Sequence, residues 1–534
     1  PRLIKFISRH IKMSVYCHTV PIGVVGIQKL SDKCCRRVRF RRELLYKCSI
    51  FALTYATYTC YHMTRKPISV VKSVLHRNCS GLEPPTPVDV NDTTWCSYAP
   101  FDEPDAGALF GALDSAFLFT YAVSMFISGV VAERISIRHF LAVSMLMTGL
   151  FTYLFGLGKT ENIHNIWYFL FVQVFAGLFQ STGWPGVVTV LGRWFGKSKR
   201  GLIFGLWVSH TSVGNILGTV IAANYVEKDW SLSFIVPGVI IAVAGLVVFL
   251  FLVDSPHLVG IDFETASLTR VQVFIYLLTR NFVVIVGDQI SIESLKCSFK
   301  LNYRPTERTP MLRNESPLPH SPSPEQIPIK IWTALYIPGV AEFSLCLFFC
   351  KLVSYTFLFW LPLYIESTAT VSANLSTLFD IGGIAGAIVA GMISDSSSMA
   401  ATTCASMLFL AAPTLLMYQA YGATTMYFNI ILLFLAGLLV NGPYGLITTS
   451  VSAELGQHSS LEGNSKALST VTAIIDGTGS IGAAVGPLLA GFISSTGWQN
   501  VFYMLITADI LAMLFLSRLV LKEIQKLKRN PRIE

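Results

Sequence analysis

Three basic residues lie inside, or at the mouths of, apolar stretches of this chain. Arg65 and Lys66 are adjacent in the segment Tyr61–Pro67, and Lys351 lies within a separate apolar run. A cation at the centre of a bilayer costs roughly 2.5–3.5 kcal/mol, so one that is present usually faces a cavity and has a function. An arginine offers a planar fork that suits phosphate, and a lysine offers a point charge. The pattern therefore predicts a binding site for an anionic substrate.

Each of these cations also has a purely structural interpretation. Arg65 or Lys351 could neutralise an acidic residue within the membrane, such as Asp114 or Asp380. Lys66 could instead extend to the membrane surface along its aliphatic stem. The sequence alone leaves these alternatives open.

Two further side chains, His210 and Tyr121, complete the candidate substrate site. His210 could handle a proton or a phosphate, or it could be a hydrogen-bonded packing residue. The G-x-G-x-x-G spacing at 477–482 lies inside an apolar run without a preceding strand, which indicates close helix packing and not nucleotide binding. The chain carries no zinc-protease motif, no phosphate-loop lysine and no clustered Cys/His ligands. We therefore expect no enzyme activity, no metal and no cofactor.

The composition shows which elements must position these residues. The chain has 534 residues, 52% of them hydrophobic and 13% charged, with a mean hydropathy of +0.56. Soluble proteins carry about 25% charged residues, and disordered chains are less apolar still, so both classes are excluded. Eleven cysteines spread over this length exclude a secreted disulfide scaffold. Apolar runs of about 20 residues predict an all-α membrane protein with twelve transmembrane helices. We place these at 48–69, 107–131, 139–158, 166–191, 202–224, 232–253, 338–365, 375–394, 401–420, 425–451, 467–493 and 501–521.

The distribution of basic residues predicts the orientation of these helices. Most of the 40 Lys and Arg residues precede the first helix or lie in the central loop, the C-terminal end and short loops on that side. The opposite side holds Lys72, Arg77, Lys159 and Lys228, so both termini are predicted to be cytoplasmic. The net charge of +9 thus reports topology and requires no nucleic-acid partner. The predicted units are a cytoplasmic segment 1–47, a six-helix bundle 48–253, a cytoplasmic linker 254–332, a second six-helix bundle 333–521 and a tail 522–534.

The first loop on the noncytoplasmic side, roughly 70–106, has features of a luminal or extracellular segment. Asn78 and Asn91 begin N-x-[ST] sequons, which are glycosylation acceptors in such compartments. Cys79 and Cys96 share this loop and could form a disulfide in an oxidising lumen. Either sequon could equally be an unused chance match, and the sequence does not show the geometry of the cysteines.

The two predicted bundles share a sequence repeat. The spacing S-x-G-x3-G-x11-W-x3-F occurs at 212–234 and again at 480–502. Related six-helix halves around a midplane site are typical of alternating-access carriers, and the small residues let helices approach closely. Because the first and seventh helices are then pseudo-equivalent, Arg65 and Lys351 are predicted to face each other across a cavity. A second repeated pattern predicts a conformational motif, formed by Asp114, Gly129, Glu133, Arg134, Asp380, Gly391 and Asp395.

Several segments of the chain resemble the sugar-phosphate exchangers, which are organophosphate:phosphate antiporters of the major facilitator superfamily. The likeness is greatest to the glucose-6-phosphate exchangers of the endoplasmic reticulum membrane and covers roughly 45–255 and 330–525. It implies the major facilitator fold, two pseudo-symmetric six-helix bundles, and exchange of glucose 6-phosphate for inorganic phosphate without ATP. The family's arginine–lysine pair falls on Arg65 and Lys66. The segments that carry the likeness are Tyr61–Ser69, Ser181–Pro185, Trp194–Lys197, His210–Asn215 and Ala467–Gly477.

The chain departs from the family pattern in places that bear on the substrate. Lys351 is nine residues before Trp360, whereas the family's cation is usually six before, where Ser354 stands. Thr211 and Met125 occupy positions at which bacterial relatives carry a histidine and a lysine. These differences leave phosphate recognition intact and the sugar open, with another organic anion such as glycerol 3-phosphate as the alternative.

The expected partners are a sugar phosphate, inorganic phosphate and the lipid bilayer. The sequence does not define the oligomeric state, and a monomer is consistent with it. A membrane receptor that carries no substrate is the alternative from another functional class. The cations retained at membrane depth argue against it.

Overall fold

In a computed structural model of the chain, the structure describes residues 20–34, 42–77, 79, 96–132, 135–195, 206–261, 334–368, 373–422, 424–455 and 465–529. Within these ranges the regular elements are helical. The helices are α1 (Ile22–Cys34), α2 (Arg42–Arg65), α3 (Pro67–Leu75), α4 (Ala106–Ala132), α5 (Ile137–Thr160), α6 (Ile166–Gln180), α7 (Gly183–Trp194), α8 (His210–Phe251), α9 (Val340–Thr368), α10 (Thr377–Ser397), α11 (Ala400–Tyr421), α12 (Met426–Leu446), α13 (Ser452–Leu455), α14 (Ser465–Ser494) and α15 (Trp498–Arg529).

Ten helical stretches in the described ranges are long and apolar enough to cross a membrane, and they contain eleven of the twelve predicted spans. One stretch contains two spans, because non-helical backbone at Asp229 bends α8 between its two arms. The remaining span, 48–69, is divided between α2 and α3 at Lys66, where Pro67 starts the new helix. Its polar residues keep it outside the ten. The prediction of an all-α membrane protein is confirmed, and twelve spans fit its helices.

The repeated glycines of the sequence lie where two helices of the first half touch. A Cβ on Gly214 would lie 2.5 Å from the carbonyl oxygen of Thr59, and one on Gly218 would lie 2.6 Å from that of Met63. These contacts bring the first arm of α8 against α2 with backbone nearly on backbone. Only a residue without a side chain fits at this separation.

The second half repeats this contact between α14 and α9. A Cβ on Gly486 would lie 2.5 Å from the carbonyl oxygen of Leu352, and one on Gly482 would overlap that of Phe348. The two glycine pairs therefore match not only in sequence but also in the carbonyls they face.

These matched contacts set the register between the two halves. Thr59 corresponds to Phe348 and Met63 to Leu352, because equivalent glycines face them. By the same register, the counterpart of Lys351 is His62 and the counterpart of Arg65 is Ser354. Lys351 and Arg65 are therefore one helical turn out of equivalence, which refines the expected opposition of the two cations.

The two halves meet closely near the end of the molecule that carries the Cys79–Cys96 disulfide, which we call the disulfide end. Gly107 and Gly111 of α4 lie against Gly491 of α14, with a Cβ on Gly107 only 3.0 Å from the Gly491 carbonyl oxygen. One turn deeper, the Ser115 hydroxyl donates to the carbonyl of Ala484 at 3.2 Å. The helices of the two halves are thus packed together at this end.

The glycine contacts predict a specific sensitivity to added volume. Gly214→Ala should destabilise the protein by about 1–3 kcal/mol, because the methyl group would force α8 away from α2. Gly391→Ala is the matched control, since a Cβ there meets no atom within 4 Å. Thermal unfolding of the purified variants in detergent measures the difference. Equal unfolding temperatures for the two variants would contradict the packing described.

Candidate functional site

Arg65 is the last residue of α2 and is 4% exposed. Its Nε donates to the side-chain oxygen of Gln180 at 2.7 Å. Its guanidinium carbon lies 4.7 Å from the ring centre of Tyr121 and 5.8 Å from that of Phe117. Its Nη2 is buried and forms no hydrogen bond within the described part of the chain. Arg65 therefore presents a cation with unused hydrogen-bonding capacity to the interior.

Aromatic hydroxyls connect this arginine to the second half of the molecule. Tyr58, Tyr121 and Tyr355 lie within electrostatic range of Arg65, and Tyr355 belongs to α9 of the other half. Asp476 of α14 lies within range of Tyr121 as well. The groups around Arg65 thus come from both halves, as a site at a moving interface requires.

Lys351 is held by an acidic residue of its own half. Its Nζ donates to Asp476 Oδ1 at 2.7 Å and to the Ser480 hydroxyl at 3.4 Å. Both charged side chains are buried, with exposed fractions of 5% and 7%. Sequence reasoning named Asp114 and Asp380 as acids that could neutralise this lysine, and the structure uses Asp476 instead. An anion that binds Lys351 must compete with this carboxylate.

Lys66 points across the interface between the halves. Its side chain is 1% exposed, so it does not extend to the membrane surface, and its Nζ donates to the carbonyl oxygen of Leu358 at 2.8 Å. Pro362 stands four residues later in α9 and has no N–H to bond that carbonyl within the helix. The proline thus creates an unsatisfied acceptor, and Lys66 of the other half satisfies it.

Lys72 corrects a prediction made from the charge distribution. It was placed among the charges outside the membrane, yet its side chain is fully buried against the ring of Trp360, 4.2 Å from the ring centre. Its Nζ forms an ion pair with Asp114 Oδ2 at 2.5 Å and donates to the Phe359 carbonyl at 3.1 Å. Asp114 therefore neutralises Lys72 and not Arg65. An acid in the apolar α4 was the available signal that a buried cation lay nearby.

Asp380 also links the two halves. The side-chain amide of Asn215 in α8 donates to Asp380 Oδ1 at 2.8 Å, and Lys66 lies within electrostatic range of the same carboxylate. Asp380 therefore lies among the interface contacts in the half of the molecule near the disulfide end. Its neighbours include a cation but no direct ion pair with Arg65 or Lys351 is present.

A cavity between the halves is lined mainly by polar side chains. It contains His62, which sequence reasoning missed although it stands one turn before Arg65. His210 does not line it and packs instead in an aromatic cluster, 4.2 Å from Trp207 and 4.6 Å from Tyr58 between ring centres. The packing interpretation of His210 is therefore the one its surroundings support. Other polar residues of the cavity are Ser209, Thr211, Ser212, Asn215, Ser354, Tyr355, Asn441 and Tyr444.

The remaining residues singled out from the sequence lie away from this cavity. Gly129 is in α4, Asp395 is exposed near the end of α10, and Gly391 has open space beside it. Cys79 and Cys96 are joined in a disulfide with a Cα–Cα distance of 5.8 Å. The residues that lie outside the described part of the chain are Glu133, Arg134, Asn78 and Asn91.

Sequence comparisons place this architecture among known proteins. The model of the Major Facilitator Superfamily matches residues 101–461. The mouse protein named glucose-6-phosphate exchanger SLC37A2 is 54% identical over 491 residues, covering 91% of this chain and 94% of the mouse protein. The chain belongs to the glucose-6-phosphate exchanger family of the Major Facilitator Superfamily. Its human relatives include SLC37A2, 53% identical with 91% and 94% of the two chains covered, and SLC37A1, 48% identical with 91% and 95% covered.

Solved structures of more distant proteins share the exchanger's fold. A bacterial homologue of the human lysosomal transporter Spinster, in an inward-facing and unoccupied conformation, matches with a TM-score of 0.54 and 13% identity. The occupied form matches with a TM-score of 0.56 and 12% identity. Each match covers 90% of this chain and 98% of the other. The exchanger is thus a multi-pass membrane protein with a transporter fold.

The Lys72–Asp114 pair predicts a large loss of stability when only one charge is removed. Lys72→Met or Asp114→Asn alone should destabilise the exchanger by roughly 3–5 kcal/mol, because the remaining group is buried without its partner. The double variant Lys72→Met/Asp114→Leu should recover part of that loss. Unfolding in detergent measures all three, with Glu227→Gln as a control.

Glu227 forms an exposed ion pair with Arg77 at 2.7 Å, with exposed fractions of 61% and 31%. Its substitution should change the stability by about 1 kcal/mol or less. Additive effects of the two buried substitutions would show that the Lys72–Asp114 pair is not coupled.

The contact between Lys66 and the proline-exposed carbonyl predicts a conformational effect. Lys66→Met and Pro362→Ala should each favour opening at the disulfide end, the first by removing the donor and the second by satisfying Leu358 within α9. Together they should add little beyond either alone. Spin labels at Glu161 and Ser495, exposed residues of the two halves at that end, would report a longer distance.

Pro413→Ala is the control for this experiment, since Pro413 lies inside α11 of the second half. It should leave the distance unchanged. A longer distance in the control, or fully additive effects of Lys66→Met and Pro362→Ala, would contradict the contact.

Proposed function

We propose that this protein is a sugar-phosphate:inorganic phosphate antiporter that exchanges glucose 6-phosphate for phosphate by alternating access. The observation that carries the proposal is Arg65, a buried cation between the two halves that no carboxylate neutralises in the described structure. The names of its relatives, glucose-6-phosphate exchangers, support this choice of substrate. We further propose that it lies in the endoplasmic reticulum membrane as a monomer, with both termini cytoplasmic.

The phosphate group is proposed to bind at Arg65. A guanidinium and a phosphate form charge-assisted hydrogen bonds, and these are strengthened where water is excluded. The ring of Tyr121 below the guanidinium, at 4.7 Å, holds its plane in one orientation. Lys66 and Lys351 lie in the same interface and contribute positive charge to it.

The sugar is proposed to occupy the cavity between the halves. Its lining carries hydroxyl, amide and imidazole groups, which are the partners that a sugar's hydroxyls require. His62 and Tyr355 line this cavity, and Tyr355 also lies within electrostatic range of Arg65. A molecule with a phosphate at one end and a polyol at the other therefore fits the arrangement.

The charge balance of the site explains why exchange is favoured over net transport. Phosphate and sugar phosphate would bind the same cation, so either one can be carried in each direction. A crossing without substrate would carry Arg65 through the closed state without an anion, which is costly in a medium of low dielectric constant. The substrate thus lowers the barrier to its own exchange.

The interface contacts describe one end state of the proposed cycle. Near the disulfide end, Lys66, Lys72 and Asn215 all donate hydrogen bonds across the halves. The two bundles, 48–253 and 333–521, would have to break these contacts to admit substrate from that side. The proposed motion is a rocking of one bundle against the other about the site.

The proposal predicts the outcome of a transport assay on Arg65. Phosphate-loaded proteoliposomes containing the wild-type protein should take up labelled glucose 6-phosphate. Arg65→Ala should reduce the uptake about 30-fold or more, because truncating a buried charge typically costs about 2–5 kcal/mol of binding. Arg65→Lys should fall between the two, since it keeps the charge but loses the fork.

Arg77→Ala serves as the control, because Arg77 is partly exposed and pairs with Glu227. Normal uptake by Arg65→Ala would disprove the assignment of the site. Stronger competition by glycerol 3-phosphate than by glucose 6-phosphate would favour the alternative substrate class. Folded protein without any flux would favour a receptor.

A further inference from the structure

Gln180, the last residue of α6, contacts the proposed phosphate-binding arginine directly. It is 1% exposed, and its amide oxygen accepts the Nε–H of Arg65 at 2.7 Å. Arginine carries donors only, so the oxygen and not the nitrogen of the amide must face it. The contact therefore fixes which way the amide group points.

The other side of this amide is anchored as well. The Gln180 nitrogen donates to the Thr64 hydroxyl at 3.1 Å, and that hydroxyl donates to the carbonyl of Tyr61 at 2.8 Å. The residue after Gln180 is also held, because the Ser128 hydroxyl donates to the Ser181 carbonyl at 3.1 Å. Gln180 is thus an acceptor whose position is determined by bonds on both sides.

The buried cations of the interface differ in the charge of their partners. Lys72 and Lys351 are neutralised by Asp114 and Asp476 at 2.5 and 2.7 Å. Arg65 is instead held by a neutral amide that occupies its Nε and leaves Nη2 without a hydrogen bond in the described structure. A carboxylate at this place would form an ion pair and compete with an incoming oxyanion.

We propose that Gln180 is a positioning residue for phosphate binding. It orients the guanidinium of Arg65 through Nε, and because it is neutral it leaves the positive charge for the substrate. This inference rests on the proposed function of Arg65. It requires a glutamine and not a glutamate at this position for the chemistry, although both side chains have the same shape and both can accept the Nε–H.

Two nearly isosteric variants separate positioning from packing. In Gln180→Met the acceptor is lost, and the KM for phosphate should rise roughly threefold to tenfold. In Gln180→Glu the acceptor is kept but is charged, and the KM should rise roughly tenfold or more, because ion pairs to carboxylates are the stronger contacts. The measurement is exchange of labelled inorganic phosphate in phosphate-loaded proteoliposomes, together with unfolding of each variant in detergent.

The order of the two variants is the decisive result. A merely structural role predicts that glutamate is tolerated better than methionine, because it preserves both shape and hydrogen bond. The proposed role predicts the reverse, with a higher KM for Gln180→Glu in protein that is as stable as Gln180→Met. Wild-type-like KM in Gln180→Glu, or a smaller increase than in Gln180→Met, would overturn the proposal.

Gln173→Glu is the matched control. Gln173 lies two turns earlier in α6 and borders the same side of Arg65, but it has no hydrogen bond to that residue among the described contacts. It should raise the KM less than Gln180→Glu does. An equal rise would mean that negative charge near Arg65 suffices, and the positioning role would be disproved.

The same assay separates this proposal from the proposed function. If the wild-type protein exchanges phosphate and Gln180→Glu behaves like it, only the role of Gln180 is wrong. If the folded wild-type protein exchanges no phosphate, the proposed function fails and the role of Gln180 fails with it.

Discussion

The structure depends on how a membrane protein satisfies positive charge that it cannot expose to water. Each buried cation in this exchanger has a defined solution, and the solutions differ. Lys72 and Lys351 have carboxylate partners, Lys66 has a backbone carbonyl, and Arg65 has a neutral amide. Since an uncompensated charge is costly in a medium of low dielectric constant, these partners determine which cation can accept a substrate. Of the four, Arg65 keeps its charge most fully.

The helix breaks in the interface serve this same distribution of charge. Pro67 ends the ladder of α2 beside Arg65, and Pro362 leaves the carbonyl of Leu358 without a partner inside α9. A lysine of the opposite half completes that acceptor. Prolines that would weaken an isolated helix thus provide contacts between the halves, and those contacts depend on the conformation of the carrier.

The glycines make such contacts possible because they bring backbones close together. Gly214 and Gly218 face α2, and Gly482 and Gly486 face α9 in the same register. This close packing holds each half as a unit while the polar contacts between the halves can form and break. The duplication therefore appears in the structure as two copies of one helix contact, which differ mainly in the charged residues they carry.

Composition and hydrophobic pattern were sufficient to predict an all-α membrane protein, twelve spans, two related halves and the three cations at membrane depth. These features depend on local composition and on spacing, which the chain displays directly. The partners of those cations depend on tertiary structure. Lys72 was placed outside the membrane because nothing in its neighbourhood along the chain reveals Asp114, 42 residues away. Gln180 lies 115 residues from Arg65 and Asp476 lies 125 from Lys351, so only helix packing brings them together. The register between the halves, which pairs Lys351 with His62 and not with Arg65, was decided by the same packing, because a side chain's neighbours in a helical bundle come from other helices.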